Sequence, residues 1–267
     1  MTTAILVVLT AVAAAAPSPA EVRTALAEFN AAAVFPLPGL SDKQLQRLLT
    51  GEVLKIIDRP GGEDTPRRGV GLLWTPASRD QMWLACQDLH FTQNDSVTEL
   101  RLSLEPPDKA LWYGIVDLPR PFSDRHWVVE VWNNHAMAQK TADRAWEHPW
   151  RSAPGALDRA QAAVEAGKVR GVDAERFADA VHMPANQGAW VAVSLPDGSS
   201  LFGYHNASVL GGNIPESLMV RYVASTLERT LKDIEKRAQQ TIPGHYVAGH
   251  APVVGGAGTA VPPQGGG

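Results

Sequence analysis

The chain has 267 residues, 45% of them hydrophobic and 19% charged, at a formal net charge of −4. This is globular composition at a length that suits one medium domain or two small ones. The slightly acidic balance argues against a nucleic-acid partner, which needs a basic face, and a single cysteine, Cys86, excludes an internal disulfide.

Met1–Ala20 carries no charge, is apolar from Ala4 to Ala16 and ends in small residues. That stretch is too short to span a bilayer and matches the apolar region of a secretion signal. Cleavage would follow Ala16 or Ala20, placing the protein in the periplasm or outside the cell. No cysteine follows that could carry a lipoprotein anchor. The alternative is an Ala-rich N-terminal helix in a cytoplasmic protein. Residues 21–39 then read as a helical segment and linker, with Ser18 as cap and Pro19 in the first turn. Ser41 starts a second helix and Gly51 ends it. Gly51–Arg59 and Gly69–Trp74 pair as a hairpin across the turn-rich "PGGEDTPRR". Thr75 and Pro76 read as the start of a helix with Met82, Trp83 and Cys86 on its apolar face; Cys86 there is a small hydrophobe.

Three strands follow, Thr98–Leu104, Leu111–Leu118 and His126–Asn133. The first puts Leu100, Leu102 and Leu104 on one face and Arg101 and Ser103 on the other, the pattern of an antiparallel sheet covered on one side. From His135 to Val172 the alternation is lost in "WEHPW" and an Ala-rich helix, so this reads as an insertion, whose tryptophans would suit a partner or membrane surface. Two hairpins are expected next, with turns "MPANQG" and "LPDGSS". The long stretch after Gly211-Gly212 is an amphipathic helix, with Val220, Val223, Leu227, Leu231 and Ile234 on one stripe and Arg229, Lys232, Asp233 and Lys236 opposite. Residues 241–267, rich in Gly, Pro, Ala and Val, read as a disordered tail. Strands closed by a helix with one apolar stripe give an α+β fold, its curved antiparallel sheet wrapped on the final helix.

Two segments carry a resemblance. "LPRPFSDRHWVVE", from Leu118, is similar to the Leu-Pro-x-Pro, Ser-x-Arg, Val corner of the START (StAR-related lipid transfer) family within the wider helix-grip SRPBCC superfamily. "GAWVAVSLPDGSSLFGYHNASVLGGNIPESLMVRYVASTLERTL", from Gly188, resembles that family's Trp strand, Tyr strand and Gly-Gly-x-Ile-Pro approach to the last helix. The likeness spans about Leu40–Ala238, the expected domain being 40–240. It implies a helix-grip with an internal apolar cavity that binds, and transfers, a lipid or other hydrophobic molecule. By alternation its wall should include Trp112, Val116, Trp127, Val129, Val131, Trp190, Ala192, Phe202 and Tyr204, with Met219, Tyr222, Val223 and Leu227 on the helix lid. Each of these suits a protein core equally well. Pro119, Pro121 and Arg125 would make a structural corner that aims the Trp127 strand.

Some sterol-binding members carry an Arg six residues beyond the motif's Arg; here that position is Val131. A polar contact is expected instead from Arg101, Tyr113, Tyr204 or Asn206. No catalytic motif, cofactor or metal site is evident, and His245 and His250 in the tail make the one close histidine pair. A non-enzymatic, monomeric carrier with transient membrane contact is therefore the expected function. The alternatives are a polyketide cyclase/aromatase-like enzyme on the same fold, or a filled grip acting through its surface.

Overall fold

The computed structural model describes residues 16–63, 65–91, 97–104, 109–212, 214 and 216–265, with the side chains of 216–224 outside that description. The elements in chain order are α1 (Pro19–Asn30), α2 (Asp42–Leu49), β1 (Leu54–Asp58), β2 (Arg68–Thr75), α3 (Arg79–Gln87), β3 (Val97–Leu104), β4 (Lys109–Val116) and β5 (Arg125–Trp132). There follow α4 (His135–Lys140), β6 (Ala145–Ser152), α5 (Leu157–Glu165), α6 (Ala174–Asp179), β7 (Val181–His182), β8 (Ala185–Ser194), β9 (Ser200–Val209), α7 (Glu216–Gln240) and α8 (Ile242–His245).

The strands form one sheet in the order β1-β2-β9-β8-β6-β5-β4-β3. All neighbours on that path are antiparallel; β7 alone runs parallel, beside the start of β5. The fold is the α+β helix-grip, with α7 on the inner face of β1, β2 and β9. Its stripe buries Leu227, Leu231, Ile234 and Ala238. Gly71 on β2 makes that contact close, since a Cβ there would meet Leu231 Cδ1 at 2.8 Å.

The helices start where short polar side chains can satisfy their free N–H groups. Ser18, Ser41 and Ser78 each form a capping box, with Glu21, Gln44 and Gln81 respectively. The third departs from the expected Thr75–Pro76 start: β2 continues through Thr75, and Ser78 caps α3 instead.

Four further expectations are corrected. The region 135–172 is not wholly an insertion, because "WEHPW" is β6, a central strand between β5 and β8, and Trp146 and Trp150 are buried. Trp146, His148 and Trp150 do alternate inward. Between them Glu147 points out and is fully buried under the N-terminal segment, accepting from Val34 N at 2.9 Å, Phe35 N at 3.1 Å and Asn134 Nδ2 at 2.7 Å. Residues 21–39 hold a helical segment, α1, as expected, but they are not a separate linker, since Val22, Leu26, Phe29 and Leu37 share a core with β2, β8 and β9 on the outer face. The segment "MPANQG" is not a hairpin turn, because β7 pairs parallel with β5 and leads straight into β8. In β3 a register shift between Arg101 and Ser103 breaks the alternation, leaving Leu104 exposed while Leu100 and Leu102 pack outward against α5 and its neighbours.

The tail is also folded where it was expected to be disordered. Ile242, Tyr246 and Val261 are buried, Tyr246 Oη donates to Val261 O at 3.2 Å, and Trp83 Nε1 donates to Val254 O at 3.0 Å. Its glycines allow this: a Cβ on Gly256 would stand 2.3 Å from Trp146 Cδ1. The expected leader lies mostly outside the described residues, although Ser18 and Glu21 show that α1 is properly capped from Pro19.

Candidate functional site

The sheet register sorts the inner face into levels. Trp146, Ala192, Phe202 and Leu73 are successive cross-strand partners on β6, β8, β9 and β2. All four are buried, in one cluster with Trp83, Leu231 and Ile234. Two residues along each strand, His148, Trp190, Tyr204 and Gly71 form the next level, followed by Trp150, Gly188, Asn206 and Gly69. Above these the inner face stops being filled. A cavity of about 910 Å³ opens between β3–β6, β8, β9 and α7, within the range of small-molecule sites.

Glycine keeps this space open. The Trp150 ring lies over Gly188, where a Cβ would meet Trp150 Cζ2 at 2.5 Å and His205 O at 2.1 Å. The Trp127 ring likewise covers Gly114, its cross-strand partner, whose Cβ would meet Trp127 Cε2 at 2.5 Å. Both indoles therefore lie flat on the neighbouring strand, and an apolar floor is laid without filling the volume above it.

Of the expected wall, Trp112, Val116, Trp127, Val129, Val131, Trp190, Tyr204 and Leu227 do line the cavity. Ala192 and Phe202 do not; they sit one level too deep, under α3 and the C-terminal half of α7. The side chains of Met219, Tyr222 and Val223 lie outside the described residues. Asn206 also lines the cavity, whereas Tyr113 faces the outer side against Phe177 and Arg101 is exposed.

The corner behaves as a clamp. Arg125 is buried and donates to Leu210 O at 2.8 Å, Ser123 O at 2.6 Å, Asp124 O at 3.2 Å and Gly211 O at 3.4 Å. It thereby ties the Pro119–Pro121 corner to the turn before α7, so the two marker segments are joined by one guanidinium. Burial lowers its pKa, and the five donors of a planar fork suit a cluster of carbonyls. Gly211 (φ +71°) and Gly212 (φ +63°) supply the left-handed turn; Asn213 and Pro215, which complete the Gly-Gly-x-Ile-Pro segment, lie outside the described residues.

Sequence reasoning named Tyr204 and Asn206 as polar contacts but missed Asn186 and His148, which complete a polar strip in the cavity. Asn186 Oδ1 accepts from Trp150 Nε1 at 3.0 Å and Asn206 Nδ2 at 2.8 Å, with Ser208 Oγ at 3.4 Å. An indole N–H only donates, so the oxygen of Asn186 must face it. The Asn186 Nδ2 group then has no hydrogen bond to protein among the described residues, in a side chain that lines the cavity. His148 Nδ1 lies 2.7 Å from Asn133 Oδ1, and Asn133 Nδ2 donates to Gly255 O at 3.2 Å. That orients the amide, so His148 Nδ1 carries the proton and Nε2 offers a lone pair. Burial brings the His148 pKa down to about 4, which keeps the ring neutral. Burial also pushes the Tyr204 hydroxyl well up, so it stays a phenol. Glu99, on β3, opens on the cavity, and desolvation raises its carboxyl. The cavity thus offers an apolar wall, a neutral acceptor (His148), an amide donor (Asn186), a phenol (Tyr204) and one carboxyl group. Its lining is less purely apolar than the sequence suggested. Cys86 lines it too, as a thiol held protonated by burial.

Asp88, at the C-terminal cap of α3, belongs to the same wall, and the folded tail brings His245 and His250 to it. One ligand atom from each of the three lies within 4.8 Å of the others, a grouping invisible while the tail was read as disordered.

No protein-family model matches the chain, and no curated relative matches it by sequence. Solved structures do. The crystal structure of human STARD10 aligns with 77% of this chain and 82% of its own at 9% identity and TM-score 0.50. A STAR-related lipid transfer protein from Xanthomonas axonopodis aligns with 70% of this chain and 99% of its own at 20% identity and TM-score 0.49. The Zhui aromatase/cyclase from Streptomyces sp. R1128 aligns with 69% and 99% at 12% identity and TM-score 0.40. The structural neighbours are START and SRPBCC domains, and the likeness to STARD10 shows the helix-grip fold.

Proposed function

We propose that the protein binds one lipid or other hydrophobic small molecule in the cavity and carries it, without chemical conversion. The observation that carries this reading is the contrast of contents. Eight side chains of the wall and lid expected from the sequence converge on about 910 Å³ of space, while the level beneath, Trp146, Ala192, Phe202 and Leu73, is buried in one cluster. Affinity would come from burying ligand surface at about 25 cal/mol per Å², less the costs of association. Asn186, His148 and Tyr204 would hold the ligand's polar end. The strip offers uncharged donors and an acceptor, which favours a hydroxyl, carbonyl or protonated acid over a fixed charge.

Leu89 lines the cavity yet is 68% exposed, so the cavity meets the surface there. Transient membrane contact is assigned to that edge rather than to Trp146 and Trp150. Among the described residues no helix is long and apolar enough to cross a membrane. Export through a cleaved leader fits a carrier that crosses water between membranes. Cleavage after Ala16 would leave the Ser18 cap intact, whereas cleavage after Ala20 would cut α1.

A second reading rests on Glu99, His148 and Tyr204. They place an acid, a base and a phenol in one cavity, the kind of set an aromatase/cyclase-like enzyme would need for proton transfer. Native mass spectrometry of the purified chain, followed by organic extraction, separates the readings. A co-purifying lipid recovered unchanged supports the carrier. A ligand that is converted on incubation supports the enzyme, and a bare mass that takes up neither fatty acid, phospholipid nor sterol contradicts the carrier and favours the enzyme or a grip acting through its surface.

A further inference from the structure

The Asp88 carboxylate is only half used. Its Oδ1 accepts the His90 backbone N–H at 2.9 Å, while Oδ2 is buried with no hydrogen-bond partner among the described residues, in a side chain 7% exposed. Two imidazoles are turned toward that oxygen. His245 Nε2 is 3.3 Å from it, His250 Nε2 is 3.4 Å from it, and the two nitrogens are 3.0 Å apart. The tautomer of one ring is fixed. His250 Nδ1 lies 2.7 Å from Ala251 O, and a carbonyl can only accept, so Nδ1 carries the proton and Nε2 the lone pair. With both rings neutral, two acceptors, Asp88 Oδ2 and His250 Nε2, then share at most the one proton of His245 Nε2. A protein that leaves a buried carboxylate oxygen and an imidazole lone pair facing each other leaves a place for a cation.

We propose that Asp88, His245 and His250 bind a divalent first-row transition ion, with zinc as the natural probe. Ligand atoms about 2.0–2.2 Å from a tetrahedral zinc stand about 3.3 Å from one another, close to the 3.0, 3.3 and 3.4 Å separations here. Two nitrogens and one oxygen suit such an ion better than calcium or magnesium, which take oxygen ligands. The outer partners are of the usual kind: Ala251 O orients His250, and the His90 backbone N–H holds Asp88. Three protein ligands leave a coordination position for water or for an oxygen of a ligand. Because Asp88 lines the cavity, the ion would stand in the wall between cavity and tail and clip the tail to α3. This inference is independent of what the cavity carries.

The test uses the full chain, stripped with a chelator, dialysed and titrated with Zn²⁺ against a chromophoric competitor. One ion per chain is expected. Asp88→Asn and His250→Gln should each weaken it by at least about 100-fold, because losing a mere outer partner already costs about 10–100-fold. His182→Ala should leave it unchanged, since that ring lies beside β5 and packs on His126, with centroids 5.8 Å apart. No stoichiometric binding, or binding that survives both ligand substitutions, overturns the proposal, and loss in His182→Ala overturns the ligand set. Should a variant fail to fold, imidazole NMR of the unmodified chain decides. Zn²⁺ must shift the Nε2 signals of His245 and His250 and leave the His250 Nδ1 proton in place; unmoved signals contradict the site.

Discussion

Along β6, β8 and β9 the inner face changes character within four residues of each strand. At the level of Trp146, Ala192 and Phe202 it is closed by Trp83 from α3, Leu231 and Ile234 from α7, and the tail. At the level of Trp150, Gly188 and Asn206 it is open, although two of its largest neighbours are tryptophans. Large side chains fill a grip when a helix meets them, and they only line it when glycine lets them lie down. Residue size alone therefore does not separate core from cavity; the depth of the level under α3 and α7 does.

Several substitutions would break or sharpen that contrast. Trp83→Ala in the solid half removes a fully buried indole and its bond to Val254 O, so urea denaturation should show a loss of about 3–5 kcal/mol and earlier release of the tail. Gly188→Ala forces a methyl against Trp150 and the backbone of β9, for which about 1–3 kcal/mol is expected. In the hollow half the balance reverses. Val131→Trp has the cavity to grow into, so the denaturation midpoint should move by less than about 1 kcal/mol, while uptake of a fluorescent fatty acid falls sharply. Equal losses of stability in Val131→Trp and Trp83→Ala would erase the distinction between the halves.

Acid acts on both faces of the sheet. The folded pKa of His148 is about 4 and that of His205 about 3, both held down by burial. Unfolded histidine takes up its proton near pH 6.5. Between those values the unfolded chain binds more protons, so stability is full above about pH 6.5 and declines as pH falls toward 4 and then 3. Glu99 and Glu147, whose pKa values burial raises, act in the opposite sense. Urea midpoints measured from pH 7 down to 4 should show the decline, and His205→Leu, which removes a buried ring whose nitrogens have no hydrogen-bond partner among the described residues, should flatten it. The smallest effect is expected for Tyr204→Phe. Stability should stay within about 0.5 kcal/mol, and affinity should change only for ligands with a polar end, by the worth of one hydrogen bond, about 0.5–1.5 kcal/mol.

How much of this the sequence disclosed depends on what each pattern encodes. Alternation gives the face of a strand, so Trp112, Trp127, Val129, Val131, Trp190 and Tyr204 were placed on the inner side from their spacing. It carries no information on depth, and Phe202 and Ala192 share that face yet belong to the core. The strand β6 was hidden because Glu147 and Pro149 look like loop residues. Glu147 is buried by a partner far away in sequence, the Val34–Phe35 backbone, which no local window contains. The tail was misread for a related reason. Gly255 and Gly256 look like disorder in composition, but they are where the chain passes against the Trp146 ring, and only a glycine fits. With the tail went His245 and His250, whose meeting with Asp88 spans most of the chain. Arg125 was read as an anchor of the corner from its place beside the two prolines, and its tie to Leu210 and Gly211 became visible only in three dimensions.

The most direct measurement is intrinsic tryptophan fluorescence during titration with a fatty acid brominated in mid-chain. Bromine quenches on contact, and Trp112, Trp127, Trp150 and Trp190 line the cavity while Trp83 and Trp146 lie beneath it. Saturable quenching at one ligand per chain, incomplete because the deep tryptophans remain bright and abolished by Val131→Trp, is the result expected of a hollow grip that carries an apolar ligand. Quenching that is absent, or that persists unchanged in Val131→Trp, would contradict it.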